Sequence, residues 1–242
     1  MINPHERLDD LHRCGYMIIQ DPEKFCFGMD AVLLSGFCSI SKGETILDLG
    51  TGTGVIPILL AAKTEAKHLS GIEIQKDIAD MALRSVCYNE LSERVSIIQG
   101  DLRNVESLIA RHSFDVVTAN PPYMKLESGA TCEHSAKAIS RHELKMSLDE
   151  CIYAAAYALK FGGRLYMVHR PARLADIMCS LRAHKLEPKR IRFVQPYMDK
   201  EPNLVLIEAK SGGKPELRVL PPLVVYDKDG SYTKECYEIY YK

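Results

Sequence analysis

From residue 45 onward the chain alternates short apolar runs with longer amphipathic ones. The runs Thr45 to Leu49, His68 to Ile74, Val95 to Gln99, Phe114 to Ala119, Gly163 to His169, Arg190 to Val194 and Leu204 to Ala209 have the length and β-branched content of buried strands. Between them the spacing predicts helices over Val55 to Lys63, Lys76 to Glu90, Leu102 to Arg111, Leu148 to Leu159 and Ala172 to His184, the last entered through Pro171. This alternation predicts an α/β fold with a doubly wound, seven-stranded, mostly parallel sheet covered on both faces. The chain divides into an N-terminal segment, 1–44, read as one helix plus a partly apolar stretch, a catalytic unit, 45–210, and a tail, 211–242. The tail carries Asp229-Gly230 between two aromatic, β-branched runs, which predicts a hairpin, or cover for a sheet edge. The long connection from Met124 to Ser147 is of the kind that is functional or mobile.

Composition narrows the class. With 46% hydrophobic and 26% charged residues the chain is that of an ordinary globular protein, and no apolar run approaches a membrane span. The start, MINPHERLDDLHRC, lacks the apolar core of a signal peptide. Eight cysteines fall without CxxC or CxxH spacing, and eight histidines without metal spacing, so no metal is expected and the thiols are read as reduced, in the cytoplasm. Net charge is −1, yet Lys160, Arg164, Arg170, Arg173, Arg182, Lys185, Lys189, Arg190 and Arg192 face only Asp176 and Glu187 between residues 160 and 195. That stretch is either a phosphate-facing surface or a solvated helix face. Nothing points to an oligomer, and a monomer is assumed.

Candidate chemistry begins after the first strand, where the chain reads Asp48-Leu49-Gly50-Thr51-Gly52-Thr53-Gly54. Alternate glycines let a backbone approach a ligand closely at a strand's carboxyl end. The spacing is GxGxG, not the GxGxxG of a pyrophosphate binder, and Asp48 puts a carboxylate where a phosphate would be repelled. An ammonium-bearing ligand suits it: S-adenosyl-L-methionine has that group, a ribose, an adenine and no phosphate. Glu73, about 20 residues on, is placed to accept both ribose hydroxyls. Asp101, followed by Leu102, is placed to accept from the adenine amino group; taken alone either acid reads as a helix cap, and it is the set at successive strand ends that points to a ligand.

The fourth strand ends in Asn120-Pro121-Pro122-Tyr123. Prolines end the ladder and hold the preceding residues extended, so the Asn120 side-chain oxygen and the Pro121 carbonyl become fixed acceptors. An exocyclic amine or amide presents two N–H groups to such a pair, and Tyr123 can stack on a purine. A turn residue satisfying local backbone groups is the plainer role for Asn120. His169 reads as a packing residue or phosphate contact, and Asp30 as the N-cap of a helix from Ala31 to Phe37.

DLGTGTG, GIEI and NPPY together resemble the class I methyltransferases that methylate amino groups, over roughly residues 25 to 210. That resemblance implies a Rossmann-like fold and S-adenosyl-L-methionine as cofactor. FCFGMDAVLLSGF, the stretch Ser140-Arg141-His142-Glu143 and MVHRPAR further resemble the bacterial tRNA (adenine-N6)-methyltransferases acting next to the anticodon of a valine tRNA. This implies a tRNA partner, with Arg141, His142, Arg170, Arg173 and Lys189 as substrate contacts, and Phe27 to Asp30 folding over the cofactor. Other amines remain open: guanine N2 of rRNA, or a protein glutamine, though the 47 residues before Asp48 are short for the helical domain that glutamine methylases carry there. A catalytically silent RNA-binding protein on this fold is the remaining alternative.

Overall fold

The computed structural model describes residues 2–24, 26–121 and 146–241. An antiparallel pair, β1 (Arg7–Asp10) and β2 (Met17–Gln20), opens the chain, followed by α1 (Met29–Phe37). Then come β3 (Thr45–Leu49), α2 (Val55–Lys63), β4 (His68–Glu73), α3 (Lys76–Tyr88) and β5 (Val95–Gln99). A 3₁₀ turn (Leu102–Asn104) and the short α4 (Val105–Leu108) lead into β6 (Phe114–Ala119). Beyond the undescribed 122–145 lie α5 (Leu148–Ala158), β7 (Leu159–His169), α6 (Leu174–Ala183), β8 (Leu186–Gln195) and β9 (Leu204–Ser211). The tail adds β10 (Arg218–Val219), β11 (Leu223–Val224) and α7 (Lys234–Tyr241).

One sheet runs in the order β10-β8-β9-β7-β6-β3-β4-β5, with β11 also on β8. Only β9 runs antiparallel to its neighbours. Strand alternation divides the core: Ile46, Val116, Tyr166, Val168 and Leu206 pack with α1 and α2 on one face, and Leu47, Leu49, Val117, Ala119, Leu165 and Met167 pack with α5 and α6 on the other.

The expected doubly wound α/β fold is observed, with these corrections. The sheet has nine strands rather than seven, because β10 and β11 cover the edge of β8. The tail keeps its turn at Asp229-Gly230, where Gly230 has φ of 85° and Tyr226 bridges Tyr232, but the second arm is α7 and not a strand. Thr233 Oγ1 accepts from Cys236 N at 3.3 Å, and Cys236, Ile239 and Tyr240 bury one helical face. The predicted helix Leu102 to Arg111 is broken in two, because Asp101 accepts from Arg103 N at 2.9 Å and closes a tight turn. Asp30 is not an N-cap: α1 starts two residues earlier, at Met29, with Gly28 in that position, and Asp30 accepts from Ala31 N within the first turn. The partly apolar N-terminal stretch is the β1–β2 pair, whose Ile19 packs on Ile78 and Met81 of α3.

The two ends of the described chain meet. Arg13 donates to Glu238 O (2.8 Å), Ile239 O (2.9 Å) and Tyr240 O (3.1 Å), and Lys63 donates to Ile239 O at 3.0 Å. Two cations thus hold the carbonyl end of α7, where the helix dipole is negative.

Candidate active site

After β3 the chain builds outward through β4 to β5, then crosses back to lay β6 on the other side of β3. That reversal opens a crevice at the carboxyl ends of β3 and β6, the place where open α/β sheets bind ligands. Four adjacent strand ends deliver the predicted residues there: Asn120 after β6, Asp48 and the glycine loop from β3, Glu73 from β4, and Asp101 after β5.

The loop is fixed by backbone bonds. Thr51 N donates to Ile72 O at 2.9 Å, Gly54 N to Thr51 O at 3.0 Å, and Gly52 N to Glu73 Oε2 at 3.0 Å. Gly50 and Gly52 have φ of 67° and 58°, and a Cβ at either would meet nothing within 4 Å. The backbone conformation requires glycine there, and the space beyond it is free for a ligand to approach.

Asp48 is 1% exposed and lies under this loop. Thr118 Oγ1, paired with it in register on β6, donates to Asp48 Oδ1 at 2.6 Å. Burial pushes the carboxyl up to about 7, against the Thr118 hydroxyl, which favours the ionised form, while the neighbouring Glu73 raises it further. Asp48 Oδ2 and Thr51 Oγ1 are, among the described residues, buried side-chain oxygens without a hydrogen-bond partner. Glu73 is buried, with Oε1 accepting from Gln75 N at 2.9 Å and Oε2 from Gly52 N. A carboxylate oxygen has lone pairs to spare for a ribose hydroxyl.

Asp101 sits at the next strand end, gripped by Arg103: Nε reaches both carboxylate oxygens at 3.0 and 2.8 Å, and Nη2 reaches Oδ2 at 2.6 Å. That guanidinium holds the Asp101 carboxyl below the usual range. Leu102 is buried as the first residue of the 3₁₀ turn. Asn120 is half-buried and Pro121 buried, directly after Ala119. Pro122 and Tyr123 of the same motif lie outside the described residues, as do Arg141, His142 and nearly all of the long connection.

The basic stretch does not form one surface. Lys160 pairs with Asp115, Arg164 with Glu44, Arg173 with Asp176, Arg182 with Glu187, Arg190 with Glu208 and Arg192 with Glu235. Arg170 and Arg173 stand just past β7, on the strand next to β6 and at the same end as Asn120. Lys189 does not join them: it lies well back along β8, between residues paired with Ala209 and Glu208, and its Nζ donates to Lys214 O at 3.1 Å. His169 is buried, its Nδ1 accepting from Arg170 N at 2.8 Å, and burial together with Arg173 and Arg170 lowers its pKa. The packing reading of His169 fits this better than a phosphate contact.

Sequence reasoning passed over Thr51, Gly71 and Thr118. The one available signal was a polar Thr118 inside the apolar run of β6; that it meets Asp48 is a matter of register, visible only in the sheet. Among the described residues no group of His, Cys, Asp or Glu could hold a metal, and no helix is long and apolar enough to cross a membrane. Cys14, Cys26, Cys38, Cys87, Cys151, Cys179 and Cys236 are free thiols.

A family model described as a methyltransferase domain matches residues 40–192. A predicted O-methyltransferase from Agrobacterium tumefaciens shares the fold with a TM-score of 0.72, at 21% identity, covering 87% of this chain and 94% of that one. The chain belongs to the S-adenosylmethionine-dependent methyltransferases, and is an enzyme of that class. Its curated relatives are narrower. The tRNA1(Val) (adenine(37)-N6)-methyltransferase of Porphyromonas gingivalis is 32% identical over 187 residues, 75% of this chain and 72% of that protein. The enzyme of the same name from Tolumonas auensis is 27% identical over 221 residues, 91% of this chain and 90% of its own. The chain is related to that tRNA methyltransferase family.

S-adenosyl-L-methionine fits the residues present. The glycine cradle leaves room for the methionine portion, the buried Asp48 would place a carboxyl group beneath it, and Glu73 and Asp101 would offer acceptors at successive strand ends for ribose and adenine.

Proposed function

We propose that this methyltransferase modifies the exocyclic N6 amine of an adenosine in tRNA, next to the anticodon, in the cytoplasm. The observation that carries the reading is the similarity, over about nine-tenths of both chains, to a tRNA1(Val) (adenine(37)-N6)-methyltransferase. The strand-end arrangement supports it, since Asn120 follows β6 on the strand beside Asp48. Bound S-adenosyl-L-methionine supplies an electrophilic methyl group.

The chain's own residues then have the following work. Asp48, Glu73 and Asp101 bind and orient the cofactor, with the glycine loop admitting its backbone-hugging portion. The Asn120 side-chain oxygen and the Pro121 carbonyl accept the two N–H bonds of the target amine, aiming its lone pair and stabilising positive charge as it develops on nitrogen. No strong base is needed, because the proton can leave after transfer. Arg170 and Arg173, at the neighbouring strand end, meet the RNA backbone. A base in an RNA loop is already unstacked, which lowers the cost of bringing it to the crevice.

Methyl transfer from labelled S-adenosyl-L-methionine to tRNA, rRNA and release factor, followed by nucleoside and peptide analysis, tests this. N6-methyladenosine in tRNA is expected. Label in guanosine of rRNA or in a glutamine side chain would replace the substrate, and no transfer at all to any of them would remove the reading.

A further inference from the structure

The buried Asp48–Thr118 bond has no necessity in the packing of the sheet. An apolar residue at position 118 would suit the core between Val116 and the covering helices as well, as Val116 itself does on the same face two residues earlier. A hydroxyl there donates instead to a carboxylate that is 1% exposed and whose second oxygen lacks a hydrogen-bond partner. A buried carboxylate with one bond made and one oxygen open is costly unless its charge is used.

We propose that Thr118 is a positioning residue for cofactor binding: by donating to Asp48 Oδ1 it keeps that carboxylate ionised and fixed beneath the glycine loop, so that it attracts the cofactor's ammonium group. The proposal rests on the reading of this crevice as the S-adenosyl-L-methionine site. Thr118 itself touches no ligand in this scheme. It acts through Asp48, and it lies two residues before Asn120 on the same strand, so one strand serves both halves of the site.

Besides Thr118, the Thr51 hydroxyl in the glycine loop also favours the ionised form, although it makes no hydrogen bond among the described residues. Glu73 on β4 is a like charge and disfavours ionisation. Cys38, just past α1, and Cys151, on α5, also face Asp48, and burial pushes both thiols up, Cys151 to about 12, so they stay neutral. Burial, with Glu73 beside it, brings the Asp48 carboxyl to about 7 even with the hydroxyl in place. Losing a hydrogen bond made to a charged group should lift the titration of Asp48 by roughly one to two pH units.

The test is isothermal titration of wild type, Thr118→Val and Thr118→Ser with two ligands between pH 6.5 and 9.5. One ligand, S-adenosylhomocysteine, has the ammonium; the other, 5′-methylthioadenosine, lacks it. At pH 7, Thr118→Val should bind S-adenosylhomocysteine about five- to fiftyfold more weakly than wild type, the gap should close to within about twofold by pH 9.5, and Thr118→Ser should restore wild-type behaviour. Affinity for 5′-methylthioadenosine should stay within twofold at every pH. Equal weakening of both ligands without pH dependence would assign Thr118 a merely structural role and overturn the proposal, as would a Thr118→Val profile matching wild type. Failure of the wild type to bind S-adenosylhomocysteine would instead overturn the cofactor site itself, and with it this proposal.

Discussion

Thr51 occupies the space that a side chain at position 71 would need: a Cβ built on Gly71 would stand 2.7 Å from Thr51 Cγ2 and 2.8 Å from its Oγ1. Gly71 pairs with Asp48 in register, so the gap left by a glycine in β4 lets the first turn of the glycine loop lie flat on the sheet beside the buried carboxylate. Gly71→Ala should therefore lift Thr51 and tilt the loop. The expected cost is about 1–3 kcal/mol of stability by denaturant unfolding, accompanied by weaker S-adenosylhomocysteine binding. Unaltered affinity in a destabilised but folded variant would separate loop geometry from ligand binding.

Glu73 pins Gly52 and, in the proposed reading, accepts from the ribose, and two substitutions distinguish these tasks. Glu73→Gln keeps one acceptor oxygen and should lose about tenfold in cofactor affinity, whereas Glu73→Ala should lose about a hundredfold. Calorimetric titration with S-adenosylhomocysteine reads both. Equal, wild-type affinities would take the ribose contact away from Glu73.

Asn120→Ala should cost roughly 3 kcal/mol in the barrier, a hundredfold or more in rate, with RNA and cofactor binding barely changed. Asn120→Asp keeps an acceptor at nearly the same place and adds negative charge facing a nitrogen that becomes positive, so it should retain clearly more activity than the alanine variant. Single-turnover transfer at saturating RNA and cofactor compares the three. An aspartate no better than alanine would point to a purely structural role in the turn.

Stability of the ligand-free protein should carry the mark of Asp48. Its carboxyl is raised by burial to about 7 from an ordinary 3.8, so the folded state holds a proton that the unfolded chain releases. The contribution is fully present below about pH 4 and is lost as pH rises toward 7, on the order of 4 kcal/mol across that window at most. Urea unfolding at a series of pH values should show Asp48→Asn flattening this descent. A slope unchanged by the substitution would mean that Asp48 titrates normally.

Only part of the basic stretch should matter to RNA. Replacing Arg170 and Arg173 with Ser should lower the slope of log affinity against log salt by about one to two, while Lys189→Ser, far from the strand end, should leave it unchanged. Fluorescence anisotropy with tRNA over a salt series decides. A Lys189 effect equal to that of the arginines would move the RNA path down the outer sheet.

The strands of the central sheet were legible because each is a short apolar run bounded by turn residues, and β3, β5 and β6 begin and end at the predicted residues. The strand-end acids and glycines were legible for the same reason: position after a strand fixes position in the crevice. What failed was whatever depended on partners distant in sequence. The charge of residues 160–195 left a phosphate-facing surface open because Glu44, Asp115, Glu208 and Glu235, which neutralise much of it, come from other segments. The tail read as a hairpin because Tyr and Ile favour strands locally, while burial of Cys236, Ile239 and Tyr240 on one side makes it a helix. The contact of Thr118 with Asp48 was not legible, since only the pairing of β3 with β6 brings the two together.

The grip of Arg13 on the last turn of α7 has a mechanical meaning. The β1–β2 pair is seated on α3, by the β4–β5 side of the sheet, and α7 is seated on α1 and β11, by the β8 side. Their junction over the end of α2 forms a strap from one margin of the sheet to the other across a single face. Shear between the two halves, the deformation that would spread β3 from β6, has to stretch that strap. The spacing between β3, which carries Asp48, and β6, which leads into Asn120, is thereby braced by residues outside the crevice between them.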